Sequence, residues 1–317
     1  MTAISTLIDV NMENFDENMY IKYNPDIAAA LNSGLIHSAK VHFEQNGIRE
    51  NRKYHNESKI IEAKNIKNRY VIENLIRESG EVRFGAYHAI DRLSPALAKL
   101  ANVVPTDAVS AHEYDEQIQE IIVSNPDCWI LDNGAGFRPT YYSNVVNFEI
   151  APYLTTDVLG VGEDLPFKDE CFDFVISNAV LEHVKDPFMA AREIERVLKK
   201  GGQVIAAVPF LQPYHGYPHH YYNMTKDGLR NLFSGLNVVS HEVKFYHHPI
   251  WVMQWVAMAY AWGLPDAAQK EFKSMTVDQL INFSLNDMGK DFVASLSRDK
   301  MFELASATFL VAEKPSS

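Results

Sequence analysis

The stretch Trp129-Ile130-Leu131-Asp132-Asn133-Gly134-Ala135-Gly136 runs an apolar strand into an acid and then into a Gly-x-Gly turn. A parallel strand delivers a ligand-binding loop at its carboxyl end in this way, because glycine lets backbone approach a ligand with no Cβ between them. A dinucleotide fingerprint would require a third glycine at position 139, where a helix N-terminus meets a pyrophosphate. That position holds Pro139. The loop therefore suits a ligand without a pyrophosphate, which counts against a nicotinamide oxidoreductase.

Downstream, short β-branched runs alternate with loops and helical segments, the pattern of an α/β sheet. Strands are expected at Trp129–Leu131, Val145–Glu149, Asp157–Val161, Phe174–Ser177 and Val204–Val208, with two more at Asn237–Tyr246 and Phe302–Glu313. Between the fourth and fifth, Asp186 and Pro187 open a helix with Phe188, Ala191, Ile194 and Leu198 on one face. Lys199 and Lys200 suit its C-terminal dipole, and Gly201-Gly202 ends it. The first two crossovers are short: 12 residues separate Asp132 from Val145, and 7 separate Glu149 from Asp157. A parallel crossover commonly needs a dozen or more residues, and parallel sheets are covered on both faces. The missing cover is expected from residues 56–125, from the 249–300 segment, or from a second subunit of a homo-oligomer.

The chain has 317 residues, 47% hydrophobic and 22% charged, with net charge −12. Residues 1–110 carry 13 basic against 14 acidic side chains, and residues 111–317 carry 16 against 27. Nucleic-acid binding relies on Lys and Arg to neutralise phosphates, so the acidic main domain argues against it. Cys128 and Cys171 make neither a disulfide framework nor a metal-ligand spacing. No signal-like segment opens the sequence, and the apolar stretch Ile250–Leu264 is shorter than the ~20 residues of a membrane span. A cytoplasmic location is expected.

Three parts are read along the chain: a small helical module at 1–55, a helical connector at 56–125, and a main domain at 126–317 with a helical insertion at 249–300. In the first, Pro25 opens an Ala-rich helix, and Tyr20, Tyr23, Ile27, Leu31, Ala39 and Phe43 suit a helical hairpin. The stretch FDENMYIKYNPDIAAALNSGLIHSAKVHFEQNGIRENR resembles a short module attached to various bacterial enzymes, several linked to surface glycans.

The main domain adds Glu149 at the end of its second strand, then Gly162-Glu163-Asp164-Leu165-Pro166-Phe167, and then Phe172-Asp173-Phe174-Val175-Ile176-Ser177-Asn178-Ala179-Val180-Leu181-Glu182-His183-Val184. This succession closely resembles the class I S-adenosylmethionine-dependent methyltransferases, type 11-like, from about Cys128 to Phe233 and more weakly to Glu313. The resemblance implies a Rossmann-like, mostly parallel seven-stranded sheet with N-terminal helical segments and a helical insertion before the last strand. It implies S-adenosyl-L-methionine as cofactor. Gly134 and Gly136 would face its methionyl part, Asp132 its amino group, Glu149 its ribose, Ile150 its adenine, and Asn178 its sulfonium end. The aspartate that the family places before Gly162, for the adenine amino group, is Val161 here, with Glu163 or Asp164 as substitutes.

After the fifth strand comes Pro209-Phe210-Leu211-Gln212-Pro213-Tyr214-His215-Gly216-Tyr217-Pro218-His219-His220-Tyr221-Tyr222-Asn223-Met224-Thr225. Its histidines fit no helical or finger-type metal spacing. They suit either a packed structural loop or substrate binding with proton transfer, since histidine titrates near working pH. His215 and His219 are the preferred bases, and His183 either borders the acceptor or is structural. The segment Ile250–Trp262 carries no Lys or Arg for a membrane surface, so a core or lid role is favoured. The expected activity is methyl transfer to a small-molecule or glycan-linked acceptor, at oxygen, with no metal. The alternative is a catalytically silent adaptor of the same fold.

Overall fold

The computed structural model describes residues 2–78, 81–105, 110–216, 218–308 and 310–313. Strands β1 (Ala3–Ser5) and β2 (Leu7–Asp9) precede helices α1 (Glu17–Tyr23), α2 (Pro25–Asn32) and α3 (Ala39–His42), and then strand β3 (Lys53–His55). Asp16 caps α1 by accepting from the Met19 N–H, and Pro25 occupies the first turn of α2, where no N–H is required. β2 pairs with β3, and Val10, Tyr20, Ile27, Phe43 and Tyr54 form a core beneath the pair.

Helix α4 (Glu57–Tyr70) follows, then two-residue strands β4 (Arg83–Phe84) and β5 (Ile90–Asp91), and helices α5 (Pro95–Leu100) and α6 (Glu116–Ser124). The main strands are β6 (Ile130–Asn133), β7 (Thr140–Tyr142), β8 (Val145–Glu149), β9 (Val158–Leu159), β10 (Phe172–Asn178) and β11 (Leu198–Ala207), with α7 (Pro187–Val197) before the last. One sheet has the order β11-β10-β6-β8-β9-β5-β4, parallel except for β4 against β5. It is the seven-stranded, mostly parallel, Rossmann-like sheet expected.

Two of the seven strands come from an unexpected source. Residues 83–91, read as part of a helical connector, supply the β4–β5 edge. The strands expected at 237–246 and 302–313 are absent among the described residues. Phe245–His247 is a 3-10 turn, and residues 302–304 end a helix; Phe309 lies outside the described residues. Apolar alternation makes a strand only where a ladder partner takes its N–H and C=O groups, and neither segment has one. The helix before β11 also ends earlier than expected. Leu198, Lys199, Lys200 and the Gly201-Gly202 pair lie in β11, and Lys199 pairs with Asp173 at 2.9 Å. α7 buries Ala190, Ala191, Ile194 and Val197, whereas Phe188 is exposed.

The short crossovers are covered from upstream. β7, inside the first, pairs antiparallel with β1, and the Thr6 N–H donates to the Pro139 carbonyl at 2.8 Å. α4 sends two fully buried lysines onto both crossovers. Lys67 Nζ donates to Asp157 Oδ2 at 2.8 Å and to the carbonyls of Tyr142 and Val145. Lys64 Nζ donates to the carbonyls of Tyr87, Leu154 and Thr156 at 2.7–2.9 Å. Of the three covers expected, the 56–125 segment takes this place.

The described chain divides into two compact units, Met1–Ala207 and Val208–Ser317. The second contains α8 (Lys226–Leu232), α9 (Pro249–Trp262), α10 (Asp266–Ser274), α11 (Val277–Ile281), α12 (Asp291–Ala294) and α13 (Arg298–Leu304). Leu264, Ala268 and Phe292 form its core, packed against Tyr260 and Phe272. Among the described residues no helix is long and apolar enough to cross a membrane.

Candidate active site

Parallel pairing of β6 with β8 and β10 brings three strand ends to one edge, with Leu131 beside Val146 and Val175. Asp132 and Glu149 end two of these strands, and Asn178, exposed, ends the third. Between the acids, Gly134 and Gly136 have φ of 86° and 61°, a region that suits glycine. Their neighbours are close as well. A Cβ on Gly134 would meet Val180 at 2.4 Å, and one on Gly136 would meet the Ser110 carbonyl at 2.4 Å.

Both acids already have partners. Asp132, fully buried, receives Arg138 Nε at 2.8 Å and Nη2 at 3.2 Å, and the Tyr114 hydroxyl donates to it at 2.5 Å. The Arg138 guanidinium lies 4.2 Å from the Tyr114 ring centroid and donates to the His112 carbonyl. Burial and the Asp132 charge push the Tyr114 hydroxyl well above its usual pKa. Glu149 accepts from the N–H of Gly136 and of Ile150, each at 2.7 Å. Burial raises its pKa, and these N–H groups partly offset the shift.

The remaining expected positions are scattered around this edge. Ile150 is half-buried beside Glu149, and Glu163 is buried in the loop after β9. Asp164, the other substitute for the adenine aspartate, is paired with Arg77 at 2.5 Å, while Val161 is buried. Ala179 takes φ 55° directly after Asn178, a conformation costing about 1 kcal/mol or more for a residue with a Cβ and frequent at functional loops.

Sequence reasoning passed over three residues of this region. Arg138 and Tyr114 engage Asp132 from outside the quoted motif. Glu182 stands beside His183, which was preferred over it. Its side chain is fully buried, neither carboxylate oxygen has a hydrogen-bond partner, and burial pushes its pKa up to about 7. His183 Nε2 lies 3.7 Å from Oε1. Asn133 Nδ2 and Ser177 Oγ, at the ends of adjoining strands, are also buried without partners. Native chains leave few buried polar groups unsatisfied, and each one calls for an explanation, a water or a ligand among them. The available signal was the polar type of Asn133 and Glu182 inside otherwise apolar motifs.

His215 and His219 belong to the second unit, and Tyr217 lies outside the described residues. His215 Nδ1 is 2.8 Å from the Pro213 carbonyl. A carbonyl can only accept, so Nδ1 carries the proton and the neutral ring's lone pair sits on Nε2. His220 has the opposite tautomer: Nδ1 accepts from the His215 N–H at 3.1 Å, and Nε2 donates to Asn223 Oδ1 at 2.8 Å. His220 thus braces the loop. The His219 ring packs 5.2 Å from that of Tyr221.

A parallel sheet with a glycine turn and two acids at adjoining strand ends is a Rossmann-like arrangement, whose ligand edge lies at the carboxyl ends of the strands. Residues 138–206 match the family described as a methyltransferase domain. An uncharacterised methyltransferase of Mycobacterium tuberculosis is 32% identical over 89 residues, 28% of this chain and 32% of that protein. A demethylmenaquinone methyltransferase of Streptomyces griseus is 46% identical over 54 residues, 17% and 23% of the two chains. An uncharacterised protein of Methanocaldococcus jannaschii is 49% identical over 51 residues, 16% and 25% of the two chains. The chain thus spans well under half the length of these relatives. The solved YcgJ protein of Bacillus subtilis aligns over 53% of this chain and 85% of its own, at 19% identity and TM-score 0.31. Over residues 138–206 the chain is therefore similar to a methyltransferase domain.

Proposed function

We propose that this chain binds S-adenosylmethionine at the β6–β8–β10 edge and directs its methyl group to an oxygen of a small-molecule or glycan-linked acceptor. The observation that carries the reading is Glu149 at the end of β8, held by two loop N–H groups. A carboxylate offers about four lone-pair sites, so acceptor capacity remains for a ribose diol. Asn133, Ser177 and Glu182 support a polar guest at the same edge. Asp132 fits less directly. Three of its sites are taken by Arg138 and Tyr114, which leaves it one hydrogen bond for an amino group.

Bound, the cofactor supplies an electrophilic methyl on a sulfonium. The chain's part is to hold the ribose at Glu149, to keep the glycine loop in place, and to take the acceptor's proton. We assign that proton to His215 Nε2 or to His219, with His183 bordering the acceptor. Calorimetric titration with S-adenosylmethionine tests the first step: binding is expected, and no heat at millimolar cofactor overturns the reading. Glu149→Ala is expected to weaken binding by about 10- to 100-fold, the range for hydrogen bonds to a charged group. His215→Ala or His219→Ala is expected to leave cofactor affinity unchanged and to lower turnover of labelled methyl about 100-fold. Unchanged turnover in both variants would assign the loop to structure alone.

A further inference from the structure

The second unit contains a cavity of about 410 Å³ between the 210–223 loop and α13. Phe210, Tyr214, Tyr222 and Phe302 line it, and all four are 44–62% exposed. That much aromatic surface left in water is unfavourable by about 25 cal/mol per Å², and a cleft that mixes such rings with polar groups suits a ligand with both polar and apolar faces. The polar groups here are fixed. The Asn223 amide accepts from His220 Nε2 and donates to the Gln212 carbonyl, each at 2.8 Å. The Tyr214 N–H donates to the Glu303 carbonyl at 3.0 Å and ties the loop to α13. Glu303 also lines the cavity, ion-paired to Lys300.

We infer that this cavity binds a neutral saccharide, with aromatic faces against the C–H face of a pyranose ring and Asn223 and Glu303 taking its hydroxyls. Three features select this class. The lining contains no Lys or Arg and one carboxylate, which already engages Lys300, so phosphorylated or carboxylated ligands find no counter-charge in the lining. Aromatic rings crowd the loop, with Tyr214 stacked on His220 at 21° and Tyr221 beside Tyr222 at 36°, and such faces pack against the apolar C–H face of a puckered ring. An amide and a carboxylate offer both donor and acceptor to vicinal hydroxyls.

The inference goes beyond methyl transfer, and its test uses no cofactor, so its failure leaves that reading untouched. Saturation-transfer NMR on the full chain would use methyl β-glucopyranoside, cellobiose and N-acetylglucosamine, with glucose 6-phosphate as the charged control. At least one neutral sugar is expected to receive saturation at its ring C–H protons. Tyr222→Ala and Phe302→Ala, both at exposed positions, are expected to weaken that binding about tenfold with unchanged thermal midpoints. Three results would overturn the assignment: no transfer to any neutral sugar, undiminished transfer in both variants, or stronger transfer to the phosphorylated sugar.

Discussion

Lys67→Met is expected to destabilise the chain by about 3–5 kcal/mol, the range for removing one partner of a buried ion pair. Methionine fills much of the same volume, so the loss is electrostatic rather than a cavity. Asp157 would stay fully buried, hydrogen-bonded to the Tyr141 hydroxyl at 2.6 Å and the Asn147 N–H at 2.9 Å but with no cation at hydrogen-bond distance among the described residues. The carbonyls of Tyr142 and Val145 would each lose a donor as well. Lys64→Met, at an equally buried position, is expected to cost less, about 1–3 kcal/mol. It leaves three carbonyls short of a donor but strands no charge at hydrogen-bond distance. Urea unfolding measures both, and a shifted midpoint with constant slope identifies a stability effect. Equal losses, or a Lys67→Met midpoint at the wild-type value, would refute the ranking. Partial recovery in the double variant Lys67→Met, Asp157→Asn would confirm the pair as the source.

These lysines mark where sequence reading stopped. Trp129-Ile130-Leu131 and Val145-Val146 are short apolar runs, each followed within three residues by an acid, a pattern that suits strands covered on both faces, so the centre of the sheet was legible. Lys64 and Lys67 lie three apart on a polar helix, and nothing in that spacing singles them out. Their burial depends on carbonyls some 75–92 residues away, which no local period reports. β4 and β5 have two residues each, too few to show alternation. At the site the acids could be placed from the strand ends. Arg138 could not be assigned to Asp132, because that contact depends on the path of the turn between them and on Tyr114, 18 residues upstream.

Glu182→Gln is expected to stabilise the chain above pH 7 by about 3 kcal/mol, at ~1.4 kcal/mol per pH unit of pKa shift. Burial raises the folded pKa of Glu182 from 4.5 to about 7. Between those values the native state holds a proton that the unfolded chain has released, so unfolding free energy falls as pH rises. The contribution is complete below pH 4.5 and lost by about pH 7. Glutamine resembles the protonated acid and cannot ionise. The variant and wild type should therefore match near pH 4 and diverge through the window, as urea midpoints at pH 4, 5, 6, 7 and 8 would reveal. Parallel curves would exclude a buried carboxyl of raised pKa at this position. Above pH 7 the ionised group works against the fold, which is the usual mark of a side chain placed for binding rather than for stability. If it receives a hydrogen bond from bound S-adenosylmethionine, saturating cofactor should stabilise wild type more than the glutamine variant at pH 8. Equal stabilisation would confine Glu182 to a pH effect on folding.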